Sequence, residues 1–548
     1  MKGHRAMRTQ LALFGTAALL FSSLQAFAVQ ADGFVTQVDS PTDFYVGSLH
    51  VMLNGKTRCE TEDLHSDIQL KTKGFWRHRY FLLQNRPVPK GEATVPCNAL
   101  SLRGGSRVQV AGDRGQQDGS LTAAQLIVYK VDIQRKFSTS WKFPEWAGGA
   151  LLEEQPQVSR TGQGWAGTLW LDGYPMNIAP DTELLTAPDV KQMGIGSLFQ
   201  WIEPQFKATI LRSKAPAPVF SASLLEPNTW ATYRGARRAD GQILLDQIGL
   251  WPNRPYSFWE EYPTKFDPRK AAPTIQPPNY ASHLPGSAVF SPFNNIPFDF
   301  SRRNRVLTIL PDRNVQEYIS QLAASLMPLY QKDMPETSPT KIHFCFYVVQ
   351  SGGADFDDEV SNFDSLPPLV RPSWDDAVLA LPNGMIFVPV STLTGVESEA
   401  QLAAILSSAI ASVLQEQGNV AWYESQHQGG GGSVASGMSY RAFWPGFILW
   451  RDEQAIRIGI RQMYLAGYDI REAPFAWALA EGKPAANPVT DASGSNAGVP
   501  WYTAYAFNYI SQFYSNVDYN KLKRGKAEYA QFLAELRKAD PEAFVQKK

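Results

Sequence analysis

Between Gly33 and about Asn253, apolar and polar residues alternate in short runs broken by Gly, Asn and Asp, the period-two pattern of half-buried strands. Asp118-Gly119 and Asp240-Gly241 each stand between two alternating runs, which predicts β-hairpins. Beyond Arg305 the period lengthens: Val315 to Leu329, Glu397 to Gln417, Ala455 to Ala466 and Trp501 to Tyr514 carry helical spacing, with one or more strands between them. That change predicts an α+β domain over residues 305–548. Between the two regimes, prolines recur from Pro252 to Pro297, and Trp251, Tyr256, Phe258, Trp259 and Tyr262 crowd the first part. Residues 254–300 are therefore expected to form a linker, too rich in proline for a helix or a central strand.

The β-patterned half repeats itself. Val46-Gly47-Ser48-Leu49-His50-Val51-Met52-Leu53-Asn54-Gly55-Lys56-Thr57 aligns with Leu171-Asp172-Gly173-Tyr174-Pro175-Met176-Asn177-Ile178-Ala179-Pro180-Asp181-Thr182, with apolar residues coinciding at alternate positions. Val108 to Gly112, Asp118-Gly119 and Leu126 to Tyr129 likewise align with Ala231 to Gly235, Asp240-Gly241 and Ile248 to Trp251. This predicts two tandem small all-β barrels over residues 32–135 and 150–253, each closed so that no edge is left free. In overall pattern each copy resembles the OB-like β-barrel domains of exported bacterial proteins. Phe75 to Tyr80 and Trp165 to Trp170 could form a glycan- or peptide-binding face, but aromatic residues are strand formers first, and packing into the barrel cores is the favoured reading.

Lys2, His4, Arg5 and Arg8 precede an apolar run from Leu11 to Phe21 and then Ala26-Phe27-Ala28. Residues 1–28 are thus expected to be a secretory signal peptide, leaving a mature chain without a transmembrane segment in the periplasm or outside the cell. In such an oxidising compartment Cys59 and Cys97 are expected to form a disulfide, and Cys345, inside the apolar run His343 to Val349, to be a buried free thiol. A net charge of -1 without a Lys/Arg run argues against nucleic acid or an anionic membrane as partner.

The C-terminal region carries a more specific resemblance. Val315 to Ile319, Phe344 to Val349, Ala380-Leu381-Pro382-Asn383-Gly384-Met385-Ile386-Phe387-Val388, Glu399 to Leu406 and Ala455 to Asp469 occur in the order found in peptidase family M 48, the HtpX- and BepA-like zinc metallopeptidases. The resemblance covers about the last 240 residues. It implies a zincin-like domain in which two His at i and i+4 of one helix bind zinc, the Glu between them activates water, and a carboxylate from a later helix completes the site.

Against that pattern this chain departs at nearly every chemical position. The two His positions hold Ser408 and Ser412, the general-base position holds Ala409, the third-ligand position holds Asp452, and the supporting Asp is replaced by Ile456. A neutral serine hydroxyl is a poor zinc ligand, and without a Glu nothing takes the proton from a bound water. No metal and no cofactor are expected, and no catalytic residues. His427, beside the Gly429 to Gly432 run, could bring one imidazole near Asp452, but an exposed loop residue is the favoured reading. Ser407, Ser408 and Ser412 lack the adjacent base of a serine nucleophile. Asp355, Asp357, Asp358, Glu359 and Asp364 lack the glycine and terminal Glu spacing of a calcium loop and read as a solvated insertion.

The resemblance still implies a peptide groove, its edge strand being Met385-Ile386-Phe387-Val388-Pro389-Val390, where a bound segment would add as a further strand. Pro389 removes one donor from that edge. The chain is accordingly expected to be an exported pseudopeptidase, a binding or scaffolding protein of the cell envelope whose partner is a polypeptide client or an envelope protein. An active metal-dependent hydrolase with an atypical site, for which zinc would be the cofactor, is one alternative. A purely structural envelope protein, its cleft filled by Phe443, Trp444 or Phe447, is another.

Overall fold

The computed structural model describes residues 29–46, 49–73, 78–86, 93–100, 102–115, 120–134, 147–186, 220–238, 242–252, 272–290, 305–350, 378–417, 451–480, 499–514 and 517–544. The chain divides into two compact units, with the N-terminal barrel in one and the later sheets and helices in the other.

In the first unit β1 (Val29–Ser40), β2 (Asp43–Val46), β3 (Leu49–Lys73), β4 (Arg107–Arg114) and β5 (Leu121–Gln134) close into a five-stranded barrel in the order β2-β1-β4-β5-β3, sealed by pairing of β2 with β3. The period-two pattern sends Val35, Phe44, Val46, Val51, Val108, Val110, Leu121 and Leu126 into a common core. The predicted disulfide joins Cys59 to Cys97, its Cα atoms 5.2 Å apart.

The second unit begins with a seven-stranded sheet: β6 (Ala147–Leu151), β7 (Gln157–Thr161), β8 (Gly164–Leu171), β9 (Tyr174–Ile178), β10 (Glu183–Thr186), β11 (Trp230–Arg237) and β12 (Ile243–Trp251), in the order β6-β11-β12-β9-β8-β7, with β10 also on β12. The aligned repeats occupy matching places in the two sheets. Val51 pairs with Leu121 as Met176 does with Ile243, and Cys59 pairs with Leu126 as Leu184 does with Ile248. Val35 faces Val46, and a single bridge sets Leu152 against Leu171 in the corresponding position. Gly112 and Gly235 mark the same register shift on β4 and β11. Both must be glycine for the same reason: a Cβ would run into the carbonyl oxygen of Thr122 or Leu244 on the facing strand.

A third sheet runs β13 (Thr274–Gln276), β14 (Gly286–Phe290), β15 (Arg305–Ile309), β16 (Cys345–Val349), β18 (Met385–Pro389), β17 (Leu379–Ala380), in that spatial order. Two expectations are corrected by it. The stretch 254–300 is not only a linker: β14 pairs on both sides, with β13 and β15, because no proline falls between Pro285 and Pro292 and Gly-Ser-Ala-Val-Phe is left free to alternate buried and half-buried. Met385–Pro389 is not an edge, since β16 pairs with it in parallel and Leu379–Ala380 pairs with Phe387 and Ile386 on the other side. Ile386, Phe387 and Val388 are fully buried and Val390 already begins a short helix.

Cys345, expected to be buried, is exposed, because it opens β16 before the strand enters the core at Val348. Four helices follow the predicted periods, α1 (Arg313–Ser325), α2 (Glu399–Leu414), α3 (451–465) and α5 (Trp501–Phe513), and two more, α4 (Ala473–Ala480) and α6 (Lys526–Ala539), lie where no helix is predicted. Side chains of Asp312 and Ser398 cap α1 and α2 through the Val315 and Gln401 amides. Among the described residues no helix is long and apolar enough to cross a membrane.

Candidate functional site

Helix α2 is apolar on every side, and almost every residue of it is buried, as a helix at the centre of a domain must be. It carries Ser408 and Ala409, both buried, and the half-buried Ser412. Helix α3 crosses it with Gly459 against Ser408. A Cβ on Gly459 would stand 2.5 Å from Ser408 Oγ and 2.9 Å from its backbone nitrogen, so the two backbones touch where a longer side chain at 408 would have to project. Ser407 Oγ bonds the Ala404 carbonyl within its own helix at 3.1 Å.

Asp452 and Ile456, one turn apart on α3, are both buried. The Asp452 carboxylate accepts a hydrogen bond from the Tyr502 hydroxyl, and Arg451 Nε lies 3.8 Å away. Asp452 is thus engaged by the protein itself. Among the described residues no three His, Cys, Asp or Glu side chains gather as a metal-binding group would. His427, the acidic run from Asp355 to Asp364, and Phe443, Trp444 and Phe447 lie outside the described residues.

The densest polar constellation lies one turn further along α3, where sequence reasoning placed nothing. The β8–β9 hairpin turns at Asp172-Gly173, with φ of 59° and 74°, the left-handed conformation a two-residue turn requires. Arg457 reads this turn three ways: Nε donates to the Asp172 carbonyl at 2.8 Å, Nη2 to Asp172 Oδ1 at 2.5 Å, and Nη1 to the Tyr505 hydroxyl at 2.6 Å. Its guanidinium also covers the Tyr174 ring at 4.5 Å. Tyr233 donates to the second oxygen of Asp172, and Tyr509 to the Gly173 carbonyl. A Cβ on Gly173 would meet Arg457 Cβ at 2.5 Å, so only glycine lets the turn approach this helix.

Four residues along, Arg461 sits 3.4 Å above the Trp170 ring and reaches Glu154 at 2.6 Å and Glu153 at 3.5 Å. One turn back, Gln454 donates to the Gly149 carbonyl at 3.1 Å, while Gln415, just past α2, accepts from the Leu151 amide at 2.9 Å. These contacts satisfy the outward edge of β6. Trp165 packs on Phe220 and the sheet core, so neither tryptophan of the Trp165–Trp170 segment forms an open platform.

A second cluster anchors the start of α2. Glu399 accepts hydrogen bonds from Tyr468 at 2.6 Å, Lys523 at 2.7 Å and Tyr318 at 3.0 Å. Burial works against its charge, yet these donors hold its carboxyl below the ordinary range. Asp469 is likewise depressed against its burial by Arg471 and Arg524. Both clusters tie helices to their neighbours through side-chain hydrogen bonds.

The chain matches no family model and no curated protein. Two signs of the α3 constellation stand in the sequence: the Asp172-Gly173 pair at a hairpin tip, and Arg457 and Arg461, four residues apart and so on one face of a helix. A buried arginine there needs a carboxylate: Arg457 has the buried Asp172, and Arg461 lies closest to Glu154.

Proposed function

We propose that this chain is an exported pseudopeptidase: tandem OB-like barrels followed by an M 48-like, zincin-type domain that has lost its zinc ligands and general base and serves as a scaffolding protein of the cell envelope. The observation that carries this reading is the contact between Ser408 and Gly459. The positions that would bind and activate a metal-bound water hold a serine pressed on a glycine backbone and an alanine, with Asp452 bonded to Tyr502. Such a surface holds two helices together, and its general-base position, an alanine, has no group to move a proton. The partner in this reading is a polypeptide client or an active relative, met by the protein's outer surfaces.

A purely structural role is the second reading, favoured by the strand Met385–Pro389 being paired on both sides, which withholds the main-chain groups a bound peptide would need. The test is metal analysis of the purified mature protein together with cleavage of a quenched fluorescent casein, with and without chelator. Well under one zinc per chain and no chelator-sensitive cleavage is the expected result. One tightly held zinc per chain with chelator-sensitive cleavage overturns the proposal.

A further inference from the structure

The β8–β9 turn and the segment after β6 bring three carboxylates, Glu153, Glu154 and Asp172, against two guanidiniums, Arg457 and Arg461. The cations are unequally shared. Arg457 is committed to Asp172 by two hydrogen bonds, and Arg461 lies closest to Glu154, whose side chain keeps 42% of its exposure. Glu153 receives the remainder: its side chain is only 10% exposed, and its single cation stands at 3.5 Å. One of its oxygens accepts from the Gly173 amide at 2.6 Å, which ties it to the same turn that Arg457 holds. A buried carboxylate with a shared cation and two acidic neighbours is the member of such a group that gives up its charge.

We propose that the joint between the β8–β9 turn and helix α3 is a proton-responsive clamp, closed with Glu153 protonated and loosened when Glu153 loses its proton to solvent. Every charged or titratable group around it bears on this. Glu154 on its own segment and Asp172 on the turn oppose its ionisation. Arg461 on α3 and the Gly173 N–H favour it, and Tyr509 on α5 and Tyr514 just beyond are neutral neighbours, their hydroxyls held above their ordinary range by burial. Burial is the largest influence, and the carboxyl is pushed up to about 7.

The sign follows from proton linkage. Opening the joint to water returns Glu153 to its ordinary value of 4.5, so between that value and about 7 opening releases a proton. Opening is therefore least favoured on the acid side, becomes easier as pH rises through this window, and levels off above it.

The experiment is hydrogen exchange on the full mature chain between about pH 5 and 8, following amides of 451–465 and of the 171–174 turn, with intrinsic rates divided out. In the wild type the opening constant is expected to climb with pH, by at most about tenfold per unit, and to flatten above about 7. Glu153→Gln, which keeps the shape and the acceptor but cannot ionise, is expected to abolish the climb. Glu154→Gln should retain it. A climb that persists in Glu153→Gln overturns the proposal. So does a wild-type profile that is level across the range, which decides the matter even if the variant does not fold.

Discussion

The N-terminal barrel and the second sheet share strand order, register and bulge, yet they are held together by different means. In the first, Cys59 of β3 is bonded to Cys97, which opens a 3-10 turn. In the second, the corresponding strand position is Leu184, and the corresponding 3-10 turn, Ala222–Leu224, brings Leu224 and Leu225 onto the core. The outward aromatic of the hairpin differs in the same manner. Tyr45 is covered by His50 from the neighbouring strand, their rings 4.8 Å apart, whereas Trp170 is covered by Arg461 from a helix almost three hundred residues away. A covalent link and a local partner support the first barrel from within its own stretch of chain. Apolar packing and distant arginines make the second sheet depend on the helices.

That contrast can be broken most severely at Arg457. Arg457→Ala strands the buried Asp172 carboxylate without its cation, and the second unit should lose about 3–5 kcal/mol in denaturant unfolding, while the first barrel's transition stays in place. Next in size is the disulfide. Cys59→Ser with Cys97→Ser, or reduction, releases a loop spanning 38 residues and should cost the first barrel about 2–4 kcal/mol, leaving the second unit's midpoint unchanged in the same melt. The smallest effect is expected from His50→Ala. Its pairing with Asp43 at 2.5 Å is part-exposed, with side chains at 30% and 39%, so only about 0.2–1 kcal/mol should be lost. If His50→Ala proved as damaging as Arg457→Ala, the distinction between local and distant support would fail.

Much of the fold was legible in the chain because its signals are local. The alternation of Val108 to Gly112 with its copy at Ala231 to Gly235, the Asp-Gly pairs and the helical period of Glu397 to Gln417 each need only neighbouring residues to be read. The disulfide was legible because two cysteines lie within one module and the third lies far off. What escaped depends on tertiary context. Gly286–Phe290 looked too close to prolines to be a central strand, but five clean residues suffice when β15 is there to pair with them. The strand Met385–Pro389 could not show that Leu379–Ala380 turns back beside it. Helix α6 begins at Gly525 in the left-handed conformation, with no side-chain cap to announce it. The candidate positions Ser408, Ala409, Ser412, Asp452 and Ile456 were read as residue types; that Ser408 would lie on Gly459 is a fact of helix crossing that no spacing encodes.

The contact between Ser408 and Gly459 also constrains the history open to this protein. A side chain added at 459 alone is driven into the backbone of the facing helix at Ser408, so that position is bound to stay glycine while the helices cross here. Any bulkier residue at 459 requires two helices, both packed into the surrounding core, to move apart first.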